Sequence, residues 1–253
     1  MTRWVGRLLA ANVAAYFLSR AFPILQVAGL LQPATVPLRP WTPLTYMFLH
    51  ASPTHLLFNM IVLFFFGPRV EDRLGGRAFL QLYVISGLAA AALSFATPRA
   101  LIVGASGAIY GVTLAFAYFW PRDRIYIWAV IPVEARWLIA FFTVMAVWGI
   151  ATGARDGIAH YAHLGGFVGA FGFLKWREKT SPAARFKAKA EGRPRRGPLA
   201  DRQALERWSR IDPTTMHEVN REAYERVRAK LEAEGIGGLT ARERAFLDRF
   251  SPD

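Results

Sequence analysis

The 253-residue chain is 53% hydrophobic and carries eight Trp, with a mean hydropathy of +0.22, a composition outside the ordinary range of soluble domains. The absence of Cys excludes disulfides and thiolate metal sites. The formal charge of +13 would admit a nucleic-acid partner, but the basic residues flank apolar runs, so the reading is a membrane-lipid partner and no nucleic acid.

Charge divides the chain. Residues 1–174 hold twelve Arg, no Lys and five acids: Glu71, Asp72, Asp123, Glu134 and Asp156. The other nineteen basic and thirteen acidic residues lie in 175–253. An apolar body is followed by a polar tail.

A helix needs about 20 apolar residues to cross a bilayer, and six spans are predicted, near 4–22, 54–70, 78–97, 105–120, 136–153 and 159–176. The first is interrupted by Arg7 and Arg20, which can snorkel from its ends. It reads as a retained helix and not a cleaved signal peptide, because no small-residue cleavage site is obvious after Leu18 and five more spans follow. The connection 23–53 is rich in Pro, with Trp41, Tyr46 and Phe48, which suits a loop resting in the membrane interface. The later spans fall in runs without Asp, Glu, Lys or Arg: 40–68, 78–98, 100–121, 137–154 and 157–174. Most basic residues cluster in alternate connections, from Arg3 and Arg7 through Arg69, Arg73 and Arg77 to Arg122, Arg124 and Arg136, then Lys175 and Arg177. By the positive-inside rule both termini are cytoplasmic.

The tail opens with a basic, Pro-containing linker. A helical pattern follows near 214–234, ending at Gly235, and Thr240-Ala-Arg-Glu243 reads as a capping box opening a last short helix. His217 reads as a solvent-facing side chain. The predicted fold class is all-α: a polytopic membrane bundle of six transmembrane helices plus a small helical cytoplasmic tail. The boundaries are 1–178 for the membrane domain, 179–200 for the linker and 201–253 for the tail.

Polar side chains inside spans are costly, so they are functional candidates. His55 and Asn59 sit at i, i+4 on one helix face at the start of the second span; interhelical hydrogen bonding is an equal reading. Gly104-Ala-Ser106-Gly107 opens the fourth span, but it lacks the Gly-x-Ser-x-Gly of a nucleophile elbow, and a packing Ser is the commoner case. His163 shares a face with Gly166 and Ala170 in the sixth span, and alone reads as structural or as a proton relay. Together the three are stronger. The pairs Gly107/Gly111 and Gly165/Gly169 permit close helix approach. Packing of spans four and six would bring Ser106 and His163 within about 3 Å, leaving His55 and Asn59 to supply donors to an oxyanion. No Asp or Glu lies inside a span, and Asp156 sits in a loop, so a dyad is expected, with Tyr110, at i+4 from Ser106, orienting the imidazole.

These residues resemble the rhomboid family of intramembrane serine proteases over nearly all of 1–178. The family pattern of His-x-x-x-Asn, Gly-x-Ser-Gly and His-x-x-Gly-x-x-x-(Gly/Ala) occurs here in order as His55/Asn59, Gly104/Ser106/Gly107 and His163/Gly166/Ala170. The resemblance implies that Ser106 is the nucleophile and His163 the base, with His55, Asn59 and the Ser106 N–H lining the oxyanion hole. It implies that Tyr110 stacks on the catalytic imidazole, that His50 supports the first loop, and that Glu71, Arg73 and Gly75 close the second span. The family's Trp-Arg of the first loop is Trp41-Thr42 here. No cofactor or metal is implied. The implied substrates are single-span membrane proteins cut near the membrane surface, and the implied location is a bacterial inner membrane. A binding or quality-control relative without activity would usually lack the Ser or the His, and this chain keeps both. A transporter or channel would need more polar residues along a pathway than these spans hold.

Overall fold

The computed structural model describes residues 1–127, 130–154, 158–181 and 198–252, without the side chains of 198–200 and 241. It separates into two compact units, Met1–Arg177 and Glu178–Asp253.

The first unit is an all-α bundle of six helices: α1 (Arg3–Ala21), α2 (Pro53–Leu74), α3 (Gly76–Leu93), α4 (Ser106–Phe119), α5 (Ala135–Thr152) and α6 (His160–Thr180). Their starts follow local chemistry. Ser52 caps α2 through the His55 N–H, with Pro53 in the first helical position, where its missing N–H costs nothing. Gly75, at φ 82°, ends α2 and lets α3 start one residue later. The α1 N-terminus has no local cap. The Glu71 carboxylate instead accepts from the Trp4 N–H at 3.0 Å, the Val5 N–H at 2.9 Å and the Thr2 hydroxyl. That carboxylate also complements the positive end of the helix dipole.

The six helices lie where six spans were expected, but they are unequal. Three are long and apolar enough to cross a membrane alone: α2, α3 with its short extension to Ala96, and α5. The α1 helix qualifies jointly with the helix Pro23–Gly29, from which it is bent by 118°. With 14 residues, α4 is shorter, and α6 carries Lys175, Arg177 and Lys179 in its last turns. The molecule is a multi-pass membrane protein.

At the centre lies α4, packed against α2, α3 and α5. The core around it includes Tyr46, Met47, Leu63, Phe79, Leu82 and Tyr83. The helix α5 buries only Ala135, Ala146 and Gly149. Phe141, Val144 and Trp148 form an exposed stripe along it. Between α4 and α5 the chain forms an antiparallel hairpin of β1 (Arg124–Ile127) and β2 (Ile131–Glu134), where only a basic connection was expected.

The connection 22–52 is ordered by short helices at Pro23–Gly29, Pro33–Thr35, Thr42–Thr45 and Tyr46–Phe48. Trp41 is exposed, as an interfacial aromatic would be, but Tyr46 is not. Its ring is buried in the bundle and its hydroxyl donates to the Gly87 carbonyl at 2.7 Å.

The second unit comprises α7 (Pro198–Trp208), α8 (Glu218–Gly238) and α9 (Ala241–Phe250) around Trp208, Tyr224, Val227 and Leu247. Gly235, at φ 70°, breaks α8 where the pattern was expected to end. The capping box of Thr240 and Glu243 is present, and His217 is exposed. The helix α7 was not foreseen. Most of the expected linker, residues 182–197, lies outside the described residues.

Candidate active site

The site begins with how α4 starts. The segment before it is clamped to the first connection: Leu31 and Ile102 exchange backbone hydrogen bonds of 3.0 and 2.8 Å, and the Gly104 N–H donates to the Tyr46 carbonyl at 3.0 Å. Gly104 has φ 125°, a region that side chains rarely adopt. A Cβ there would also lie 2.7 Å from the His55 ring and 3.8 Å from Asn59 Nδ2, so both side chains face this turn. The chain then enters the helix at Ser106.

A helix of 14 residues is about 21 Å long, against about 30 Å of bilayer hydrocarbon. The α4 helix can therefore begin below the membrane surface. The α4 N-cap offers no side-chain acceptor. The first-turn amides of a helix lack intrahelical partners and carry its positive dipole end. Ser106 is therefore held where developing negative charge is favoured.

His163 lies in the first turn of α6, its N–H bonded to the Ala159 carbonyl at 3.0 Å. Its Nε2 lies 2.9 Å from Ser106 Oγ. The Tyr110 ring, one turn along α4, stacks on the imidazole with centroids 4.1 Å apart and planes 15° apart. Phe167 and Phe142 flank Tyr110 at 4.9 and 5.5 Å. An imidazole held by stacking keeps one nitrogen on the hydroxyl.

The helices meet through bare backbone. A Cβ on Gly166 would land on the Gly107 carbonyl oxygen. The Gly165/Gly169 pair does something else than expected: it packs on Ala89, Ala90 and Ile85 of α3, not on α4. One residue is a rotation of about 100° on a helix, so adjacent glycines serve different neighbours. Ala170 lies deeper, against Gly111, and takes part in the packing of α6 on α4.

Asn59 is 7% exposed, and its Nδ2 has no hydrogen-bond partner among the described residues. A buried donor without an acceptor is costly, and this one faces the turn before Ser106. His55 is half-buried beside it. His50 lies edge-on to His55 with centroids 5.1 Å apart. Burial first, then the neighbouring His55, pushes the His50 imidazole from 6.5 down to about 4, while the nearby Phe48 carbonyl works the other way. Burial thus favours the neutral imidazole at His50, whose two ring nitrogens have no hydrogen-bond partner among the described residues.

Three features escape sequence reasoning. Tyr46 anchors the loop by hydrogen bonds at both its carbonyl and its hydroxyl. The Leu31–Ile102 bridge leaves no trace in composition. His160 opens α6 and lies against Gly149 of α5, lining a cleft of about 580 Å³ with Ser94, Thr97 and Leu101. Its position in a charge-free run was a usable signal. Asp156, the acid nearest His163 in sequence, lies outside the described residues. Among the described residues no group of three or more His, Cys, Asp or Glu could hold a metal ion.

A family model described as "Rhomboid domain" matches residues 37–177, more than half of the chain. The chain is 33% identical over 132 residues to "RHOMBOID-like protein 2" of Arabidopsis thaliana, covering 52% of this chain and 40% of that protein. It is 35% identical over 136 residues to "RHOMBOID-like protein 4" of the same plant, covering 53% and 32%. It is 35% identical over 127 residues to "Rhomboid protein 1, mitochondrial" of Saccharomyces cerevisiae, covering 47% and 36%. The match spans less than half the length of each of these relatives.

Proposed function

The chain belongs to the rhomboid family, and on that premise we propose that it is an intramembrane serine endopeptidase cleaving single-span membrane proteins at or near the membrane surface. The reading rests on one distance, the 2.9 Å between Ser106 Oγ and His163 Nε2.

Ser106 Oγ attacks the scissile carbonyl carbon while its proton passes to His163 Nε2, which requires the imidazole to start neutral with its proton on Nδ1. The carbonyl oxygen becomes an oxyanion beside the positive end of α4. The Ser106 N–H, the unpaired Asn59 amide and His55 donate to it, and one such donor is worth about 2.7–4 kcal/mol. As the tetrahedral intermediate collapses, the C–N bond breaks and His163 returns the proton to the leaving amine. Water then attacks the acyl-enzyme, its proton going to His163 and from there to Ser106 Oγ as the ester breaks. Tyr110 positions the imidazole throughout. Gly104 lets the segment before Ser106 approach His55, Gly107 lets α4 approach Ala90 of α3, and Gly166 lets α6 approach the Gly107 carbonyl.

The protease domain is assigned to 1–178, the linker to 179–200 and the helical tail to 201–253. The distribution of Arg and Lys fits both termini on the cytoplasmic side, and the proposed location is a bacterial inner membrane. The test is cleavage of a single-span substrate by the reconstituted full chain. Ser106→Ala and His163→Ala should each abolish cleavage while inserting and unfolding like the parent. Cleavage by either variant would overturn the assignment.

A further inference from the structure

The hairpin between α4 and α5 carries an apolar surface that the bundle does not use. Its register pairs Arg124 with Glu134, Ile125 with Val133, Tyr126 with Pro132 and Ile127 with Ile131. Side chains alternate between faces along a strand, and one face turns Ile125 onto the core. The other presents Tyr126, 60% exposed, and the tip adds Val130 at 75% and Ile131 at 56%. The Val130 N–H donates to the Ile127 carbonyl at 3.1 Å. Trp137, in the first turn of α5, is also exposed, and it leads into the exposed stripe of Phe141, Val144 and Trp148. An isolated two-stranded hairpin is at best marginally stable in water. This one also exposes Tyr126, Val130 and Ile131, which favours a second surface against it.

Charge indicates which surface. Arg122 and Arg124 are exposed and make no ion pair among the described residues. Asp123 is taken by Arg69, and Glu134 by Arg136 at 2.8 Å. The Arg136 guanidinium also lies 5.2 Å over the Trp137 ring. The accessible charge at the hairpin is therefore positive around an apolar tip. That combination suits the headgroup layer of an anionic bilayer, where Tyr and Trp also concentrate. The hairpin joins α4 to α5, and the exposed apolar stripe of α5 begins a few residues after β2.

We propose that the β1–β2 hairpin is a membrane-docking element. Tyr126, Val130 and Ile131 seat in the bilayer interface, and Arg122 and Arg124 bind anionic phospholipid headgroups. Lipid thereby holds the near end of α5, which buries little of itself in the bundle.

The absence of Cys makes the test clean. Val130→Cys in the full chain is labelled with an environment-sensitive fluorophore. The protein is reconstituted in vesicles of phosphatidylcholine, or of phosphatidylcholine and phosphatidylglycerol in equal parts. The emission should shift to the blue of the free dye adduct in buffer. A phospholipid spin-labelled near its headgroup should quench it, and iodide should not. The shift should be larger in the mixed vesicles, and Arg122→Glu with Arg124→Glu should remove that difference. Ile131→Cys gives the same reading should Val130→Cys fold poorly. Free quenching by iodide in both vesicles would overturn the proposal, as would lipid quenching indifferent to phosphatidylglycerol. Shielding found only in native membranes would mean a protein partner and would equally overturn it.

Discussion

Asn59 holds a buried amide nitrogen that nothing among the described residues accepts, and such a group costs about 1–3 kcal/mol of stability. The cost is recovered if an oxyanion accepts from it during the reaction. Asn59→Ala should therefore lower kcat/KM for a single-span substrate about 10²–10³-fold without lowering the melting temperature. A melting temperature that falls while activity per folded molecule is kept would make Asn59 a packing residue. His50 gives the residue scale a second handle. Its folded pKa of about 4 lies below the 6.5 of a free imidazole, so the folded chain binds fewer protons than the unfolded chain between those values. Stability should fall as pH drops from 6.5 towards about 4, by up to about 3 kcal/mol, and then level off. His55 is the titrating neighbour in contact and remains in both proteins when parent and His50→Gln are compared. Thermal unfolding at pH 7 and pH 5 should show a smaller loss for His50→Gln. Equal losses would contradict the assignment.

Among the elements, α4 and α6 decide whether the site exists, and their contact is backbone on backbone. Gly166→Ala would drive a methyl onto the Gly107 carbonyl, and neither helix backbone can swing aside as a side chain would. It should cost about 1–3 kcal/mol and reduce cleavage about 10²-fold or more by displacing His163 from Ser106. Gly172→Ala, on the same helix with open space around it, should melt no lower than the parent and cleave normally. Similar losses in the two variants, in unfolding and cleavage assays, would show that the contact is not special. The helices themselves were legible, because charge-free runs and the Thr240 capping box are local signals, while the Ser52 cap of α2 went unread. The pairing was less so. Small-residue spacing marked both helices for close packing, yet it assigned Gly165 and Gly169 to the wrong neighbour. Register between helices distant in sequence is set by the shape of both surfaces. The hairpin was missed because two four-residue strands leave too short a pattern beside an apolar run that continues into α5.

At the scale of the molecule, the change at about residue 175 from Arg-only, acid-poor sequence to mixed charge is the plainest signal in the chain, and the two compact units divide within a few residues of it. The polar residues at the site stood out because lipid makes them expensive. Their neighbours Tyr46, Leu31 and Ile102 did not, since each is an ordinary apolar or aromatic residue until the first connection folds over the segment before Ser106. The central claim is that this clamped segment and α6 together turn one hydroxyl into a nucleophile. Its most direct measurement is labelling of the intact reconstituted protein with a fluorophosphonate, with the modified residue located by mass spectrometry. The account predicts that the adduct forms on Ser106 and that His163→Ala prevents it. An adduct on another residue, or undiminished labelling of Ser106 in His163→Ala, would contradict it.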